Sequence, residues 1–185
     1  MLIDMRPDEA LDMIENAASV FEHKVVPRNG PRAGHSPYLP EYDWMFLFER
    51  KLMKFLDRRI EEHRRELVGP SGLLSEALSN SYCHGNRRDP DLPIYINVFK
   101  GDKGLLIKIE DSGDGFNYEE TLSKLERGGN YYKLSGNGTK RMMASENFAV
   151  FYGESGRTFY LLYLFGGLGP LSGRSLTSPS PDFSK

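Results

Sequence analysis

The order of periodic segments in the sequence predicts an α+β fold. Three observations carry this: apolar residues recur at helical spacing from Ala10 to Phe21 and from Phe46 to Ile60, the period changes to two at Ile94, and two further alternating runs precede a polar tail. A chain of 185 residues is close to the ~150 typical of a single domain. With 39% hydrophobic, 12% aromatic and 27% charged residues it can fill an ordinary core and falls among soluble globular chains.

After Arg6-Pro7, residues Ala10, Leu11, Ile14, Ala17, Ala18 and Phe21 share one helical face, while Asp8, Glu9, Asp12 and Glu15 lie toward the other and toward the positive end of the helix. An amphipathic helix is expected. Pro27, Gly30, Pro31, Gly34, Pro37 and Pro40 then punctuate the chain too densely for a regular element, so residues 1–40 read as a helix and linker ahead of a domain over 41–166. From Glu41 to about Leu67 a longer helix is expected, with Phe46, Leu47, Leu52, Met53, Phe55, Leu56 and Ile60 as its stripe and Val68-Gly69-Pro70 as its stop. Ser71 is placed to cap the next helix, Gly72 to His84, which Gly85-Asn86 ends.

Beyond the polar turn at residues 87–91 the period is two. Ile94, Ile96 and Val98 form one strand face, residues 100–104 a turn, and Leu105, Ile107 and Ile109 the next face, which together make a hairpin. Asn117, with Glu120 three residues later, caps an expected helix from Tyr118 that Gly128-Gly129 ends. A glycine-rich loop leads to Gly138 and a short helix through Met142 and Met143. Strands Phe148 to Tyr152 and Thr158 to Phe165 follow, joined by the turn at Gly153 and Gly156. The Gly-, Ser- and Pro-rich tail over 167–185 reads as flexible.

Composition also narrows function. The 24 basic and 26 acidic side chains leave a net charge of -2 and a pI near 6.1, so no global attraction to nucleic acid or an anionic membrane is expected. No apolar run approaches the ~20 residues that span a bilayer, and the acidic, amphipathic start is unlike a secretion signal, so a cytoplasmic location is expected. Cys83 is the single cysteine and can neither form an internal disulfide nor anchor a zinc cluster.

Three segments carry chemistry. Glu76, Asn80 and His84 are spaced i, i+4, i+8 and so share one helix face, with Leu74 and Leu78 pointing nearly the other way. A carboxylate and a carboxamide one turn apart suit two tasks: Glu76 polarising an attacking hydroxyl, and Asn80 offering a neutral oxygen to magnesium. Taken alone the stripe reads equally as a solvated face. Period two puts Asp111 on the core face with Leu105, Ile107 and Ile109, and such a carboxylate needs a donor, for which a purine amino group would serve. Gly113 and Gly115 let another molecule approach the backbone, although the segment Asp111 to Phe116 is also a plain Asp-Gly turn pattern. Finally, Gly136-Asn137-Gly138-Thr139-Lys140-Arg141 is a glycine-rich loop entering a helix start, where free amides, the dipole and two cations favour phosphate; a simple loop is the alternative.

In this order and spacing, Glu76 to Asn80 with His84-Gly85-Asn86, then Asp111 to Phe116, then Gly136 to Gly138, resemble the three nucleotide-binding boxes of the GHKL ATPase superfamily, which includes gyrase, the heat-shock chaperone and sensor histidine kinases. Within it the chain is most similar to the anti-sigma-factor serine/threonine kinases, over about Asp43 to Phe165. The resemblance implies the Bergerat ATP-binding fold, a two-layer sandwich of helices on one face of a mixed, mostly antiparallel sheet. It also implies ATP and Mg2+ as cofactors, with Glu76 as base, Asn80 as magnesium ligand and Asp111 on the adenine amino group. Gly113, Gly115, Gly136 and Gly138 would then shape the pocket and its lid. Two features depart from the pattern: the longer N-terminal region, and Thr139 where a large apolar residue is common.

The function implied is a kinase that transfers the γ-phosphoryl of ATP to a small STAS-type antagonist protein and sequesters a sigma factor in a partner-switching system; a homodimer is compatible with it. Alternatives are an ATP-dependent binding module without turnover and a histidine-kinase catalytic domain. The last would need a phosphoacceptor histidine on a helical hairpin, and His63 is followed at once by the nucleotide helix.

Overall fold

The computed structural model describes residues 1–28, 35–56, 58–115, 117, 141, 142, 144–153 and 156–174. The fold is α+β. Its frame is an antiparallel sheet of five strands in the order β1 (Ala18–Val25), β2 (Ile94–Lys100), β3 (Gly104–Glu110), β5 (Thr158–Leu164) and β4 (Ala149–Tyr152). The described helices are α1 (Pro7–Ile14), α2 (Asp43–Leu52), α3 (Arg64–Leu67) and α4 (Leu73–Asn80).

Alternation sorts the strand side chains onto two faces. On one face Ile94, Ile96 and Val98 of β2 join Leu105, Ile107 and Ile109 of β3 and Leu161 of β5, under Phe48 and Leu52 of α2, Leu67 of α3 and Leu74 and Leu78 of α4. The register opposes Ile96 to Ile109 and Ile107 to Leu161, so one layer of branched side chains meets the helices. Each such side chain taken out of water contributes about 1.5–3 kcal/mol. The expected helical layer is therefore present.

The opposite face is also covered over β3, β4 and β5. Leu106, Ala149, Phe151, Tyr160, Leu162 and Leu164 pack against Ile3, Met5, Ala10, Ile14 and Leu171. Cover on both sides is why every residue of β5 is buried and why its sequence, TFYLLYL, shows no polar alternation. Helix α1 is fastened there by the β2–β3 turn: Lys103 N–H donates to the Ile14 carbonyl at 2.9 Å and Asp102 N–H to that of Glu15 at 3.0 Å. A Cβ on Gly101 would lie 2.2 Å from both carbonyl oxygens, so the approach requires glycine.

Several local expectations are corrected. The first helix does not reach Phe21: it stops at Ile14, Glu15 and Asn16 adopt φ of +53° and +48°, and Ala18–Val25 becomes an edge strand paired with β2. The span from Glu41 to Leu67 is not one helix but a 3-10 turn at Pro40–Tyr42, then α2, a 3-10 turn at Arg58–His63 and α3. Breaking it returns Ile60 and Leu67 to the core, where both are fully buried. Gly72, not Ser71, is the N-cap of α4, with no side-chain cap bond. Past Phe165, Gly169–Arg174 form a 3-10 turn that buries Leu171. The hairpin and the last two strands form where expected.

Candidate functional site

Helix α4 carries its stripe as the spacing predicts. Leu73, Leu74, Ala77 and Leu78 enter the core, Glu76 and Asn80 are half-buried on the other side, and His84 is exposed in a π-turn, Ser81–Gly85, that continues the helix. The Glu76 carboxyl is pushed above the ordinary carboxylate range by burial, a shift opposed by the Arg141 guanidinium, a hydrogen bond from Asn80 and the His84 ring. An amide that donates its N–H to Glu76 keeps Oδ1 as an acceptor still to be used. Arg141, read from the sequence as a phosphate contact, is near enough to Glu76 for its charge to favour the ionised carboxyl. It also lines an open cleft at the start of α4 with Glu66, Ser71 and Leu73.

At the far end of the helix the second segment closes on the first. Asp111 follows β3, points to the core face as period two requires, and is 8% exposed. Its Oδ1 accepts from Gly113 N–H at 2.9 Å. Burial raises its carboxyl pKa, against the opposing influence of the Gly113 bond and the Arg157 charge. Its other oxygen, Oδ2, lies against the backbone of Gly85. A Cβ on Gly85 would lie 2.3 Å from that oxygen, and one on Gly113 would lie 2.1 Å from the Gly85 carbonyl oxygen. Gly85, Asp111 and Gly113 therefore form one cradle that only glycine permits. Gly115, at φ +78°, sits in the left-handed region that favours glycine.

Asn86 holds this junction together, a role the sequence reading did not assign. Its side chain, 1% exposed, donates to the carbonyls of Leu92 at 2.9 Å and Pro93 at 3.3 Å and accepts from Ser112 N–H at 2.9 Å. Ser112 Oγ donates to the same Pro93 carbonyl at 2.8 Å. The end of the π-turn, the start of β2 and the loop after β3 are thereby fixed to each other. The visible signal was an asparagine directly after a helix-ending glycine. Arg157, whose carbonyl accepts from Asp111 N–H at 3.2 Å, is the other residue that reasoning from spacing missed.

Phe116, Gly136, Asn137, Gly138, Thr139 and Lys140 lie outside the described residues, as do the expected helix from Tyr118 and the whole loop from Gly128 to Gly138. Among the described residues no group of three or more His, Cys, Asp or Glu side chains is placed to hold a metal ion. Magnesium does not need one: it keeps several waters and is commonly held by one or two protein oxygens together with substrate phosphates, which Asn80 Oδ1 beside Glu76 would satisfy. No described helix is long and apolar enough to cross a membrane. In comparison with known proteins, no family model and no curated protein matches the chain.

Proposed function

We propose that the chain binds ATP with magnesium as a Bergerat-type domain and acts as an anti-sigma-factor-type serine/threonine kinase on a small antagonist protein of the STAS type. The observation that carries this reading is the buried Asp111 carboxylate at the end of β3, cradled by Gly85 and Gly113, whose N–H it accepts on one oxygen. A buried carboxylate needs donors to offset its burial, and an adenine amino group is a donor of the right kind. From this end α4 leads past Asn80 to Glu76, whose carboxyl feels the Arg141 charge, and this order of amide, carboxylate and guanidinium supports a path for the triphosphate along the helix.

In that arrangement Arg141 offsets negative charge on the phosphates, and Asn80 Oδ1 offers magnesium a neutral ligand. When bound, the metal supplies charge neutralisation along the phosphates. Glu76 accepts the proton of a serine or threonine hydroxyl as the oxygen bonds to the γ-phosphorus and the bond to the β-phosphate oxygen breaks, leaving ADP. His63 does not favour the histidine-kinase alternative: its ring packs against Tyr163 and Phe148, with centroids 5.5 and 6.4 Å away.

Calorimetric titration tests the binding half. We expect magnesium-dependent ATP binding, lost magnesium dependence in Asn80→Ala, and in Asp111→Asn a larger loss for ATP than for GTP, because the carboxamide is both donor and acceptor. No binding by the parent chain, or equal ATP affinity in Asp111→Asn, overturns the adenine assignment. Transfer of label from radiolabelled ATP to candidate antagonist proteins tests the kinase half.

A further inference from the structure

Helix α2 carries an acid into the protein interior. Glu49 is 4% exposed, on the same helix as the core residues Phe48 and Leu52. Its Oε1 meets two hydroxyls: that of Tyr38, from the segment before α2, at 2.7 Å, and that of Ser75, the third residue of α4. Tyr38 and Ser75 are themselves buried, and their oxygens lie 2.6 Å from each other, where either could be the donor. Glu49 Oε2 accepts from Gly69 N–H at 3.3 Å, in the connection between α3 and α4.

Three oxygens in mutual contact need three hydrogens between them. An ionised Glu49 supplies none, so the two hydroxyls would fill two contacts and the third would set buried lone pairs against each other. A hydrogen on Oε1 fills it, and each group then donates once and accepts once around the ring, in either sense. We propose that Glu49 is a neutral carboxylic acid in the folded protein and a positioning residue for Glu76, its proton closing a ring of hydrogen bonds with Tyr38 and Ser75 that fixes the first turn of α4. Ser75 directly precedes Glu76, so the turn anchored by the ring also aims the half-buried Glu76 carboxyl. The catalytic weight of Glu76 rests on the kinase reading, whereas the ring and its proton do not.

The groups facing Glu49 agree with a neutral acid. Burial is the largest influence on its carboxyl and pushes the pKa up, against the Ser75, Tyr38 and Gly69 hydrogen bonds and the Arg64 charge from α3. That charge is weakened at the surface, where Arg64 is half exposed and paired with Glu61 at 2.8 Å. Helix α4 presents the uncharged Ser75 hydroxyl. Tyr38 stays protonated, since burial and then the Glu49 charge push its own pKa up. A glutamate raised in this way holds its proton in the folded chain after the unfolded chain has lost it. Its stabilising effect is therefore complete below the ordinary glutamate pKa and is lost as pH rises through the folded value.

Carboxyl-carbon NMR of the full chain with labelled glutamate tests both halves without nucleotide, so a failure here is distinct from a failure to bind ATP. In the parent, Glu49 should keep the chemical shift of a protonated acid at neutral pH; an ionised Glu49 overturns the proposal, and this needs no variant. Glu49→Gln replaces the acid with a neutral donor and acceptor that cannot ionise. Relative to it, the unfolding constant of the parent should rise by up to roughly tenfold per pH unit above about pH 4, as one proton is lost on unfolding. Parallel stability profiles, or a parent that gains on Glu49→Gln as pH rises, would also overturn it. Ser75→Ala opens the ring where it meets α4, and the Glu76 midpoint should fall toward the ordinary glutamate value as that carboxyl gains water, while Glu49→Gln leaves it in place. A change of overall stability alone would not move that midpoint, and a Glu76 midpoint unmoved in Ser75→Ala removes the positioning role.

Discussion

At the scale of single residues the site depends on where side chains are absent as much as on where they are present. Gly85 is required because the Asp111 carboxyl occupies the space a Cβ would take, 2.3 Å away. Neither group can retreat easily, since Gly113 N–H holds Oδ1. Gly85→Ala should therefore displace Asp111 and cost about 1–3 kcal/mol of folding stability, read from urea denaturation, together with ATP affinity. Unchanged stability would mean that the cradle is looser than its distances imply.

Glu76 permits a pH prediction at the same scale. Burial raises its pKa and Arg141 lowers it; with Glu76 as the base of the proposed kinase reaction, which acts only when deprotonated, phosphotransfer should fall on the acid side with an apparent pKa above the ordinary carboxylate range. Removing Arg141 takes away a stabilising charge from the ionised form. Arg141→Ala should then move the acid limb of the pH–rate profile upward. A limb that stays in place, or moves down, would separate Arg141 from Glu76.

At the scale of elements, Asn86 is the piece that locks helix, strand and loop, and truncating it leaves Ser112 N–H and the Leu92 carbonyl without their side-chain partner. Asn86→Ala should cost about 2–3 kcal/mol by chemical denaturation, while Asn86→Asp, which keeps the acceptor for Ser112 but not the donor, should recover only part. Equal stability of parent and alanine variant would sink this role.

The same scale shows what the sequence made legible. The hairpin and the stripe on α4 were readable because each buries one face, so period alone reports them. Strand β1 was not, because Ala17, Ala18 and Phe21 continue the helical spacing of α1, and the left-handed turn at Glu15 and Asn16 that ends it carries no glycine. Pairing with β2 decided the matter against local propensity. The break between α2 and α3 has no Gly or Pro to mark it; the need to fold Ile60 and Leu67 onto the sheet produces it. In the site, the positions of Glu76, Asn80 and Asp111 followed from spacing, whereas the role of Asn86 depends on contacts across elements that spacing does not encode.

At the scale of the whole molecule, the first 16 residues belong to the sheet's own structure. Leu2 enters the main core, Ile3, Met5 and Ile14 fill the second, and the backbone of residues 1 to 3 completes the β4 edge. At about 1.5–3 kcal/mol for each of these four buried side chains, the segment contributes roughly 6–12 kcal/mol before entropy is counted, comparable with the ~5–15 kcal/mol that holds a whole domain folded. Its removal would also bare Leu106, Phe151, Tyr160, Leu162 and Leu164 as one apolar face, a surface prone to association. A chain beginning at residue 17 should therefore lose its cooperative thermal transition, bind a hydrophobic dye and aggregate, although the candidate site's described residues all lie beyond the cut. If the shortened chain instead melted cooperatively within a few degrees of the parent, α1 and the strand-like start would be accessories, and the second core would carry little of the stability assigned to it.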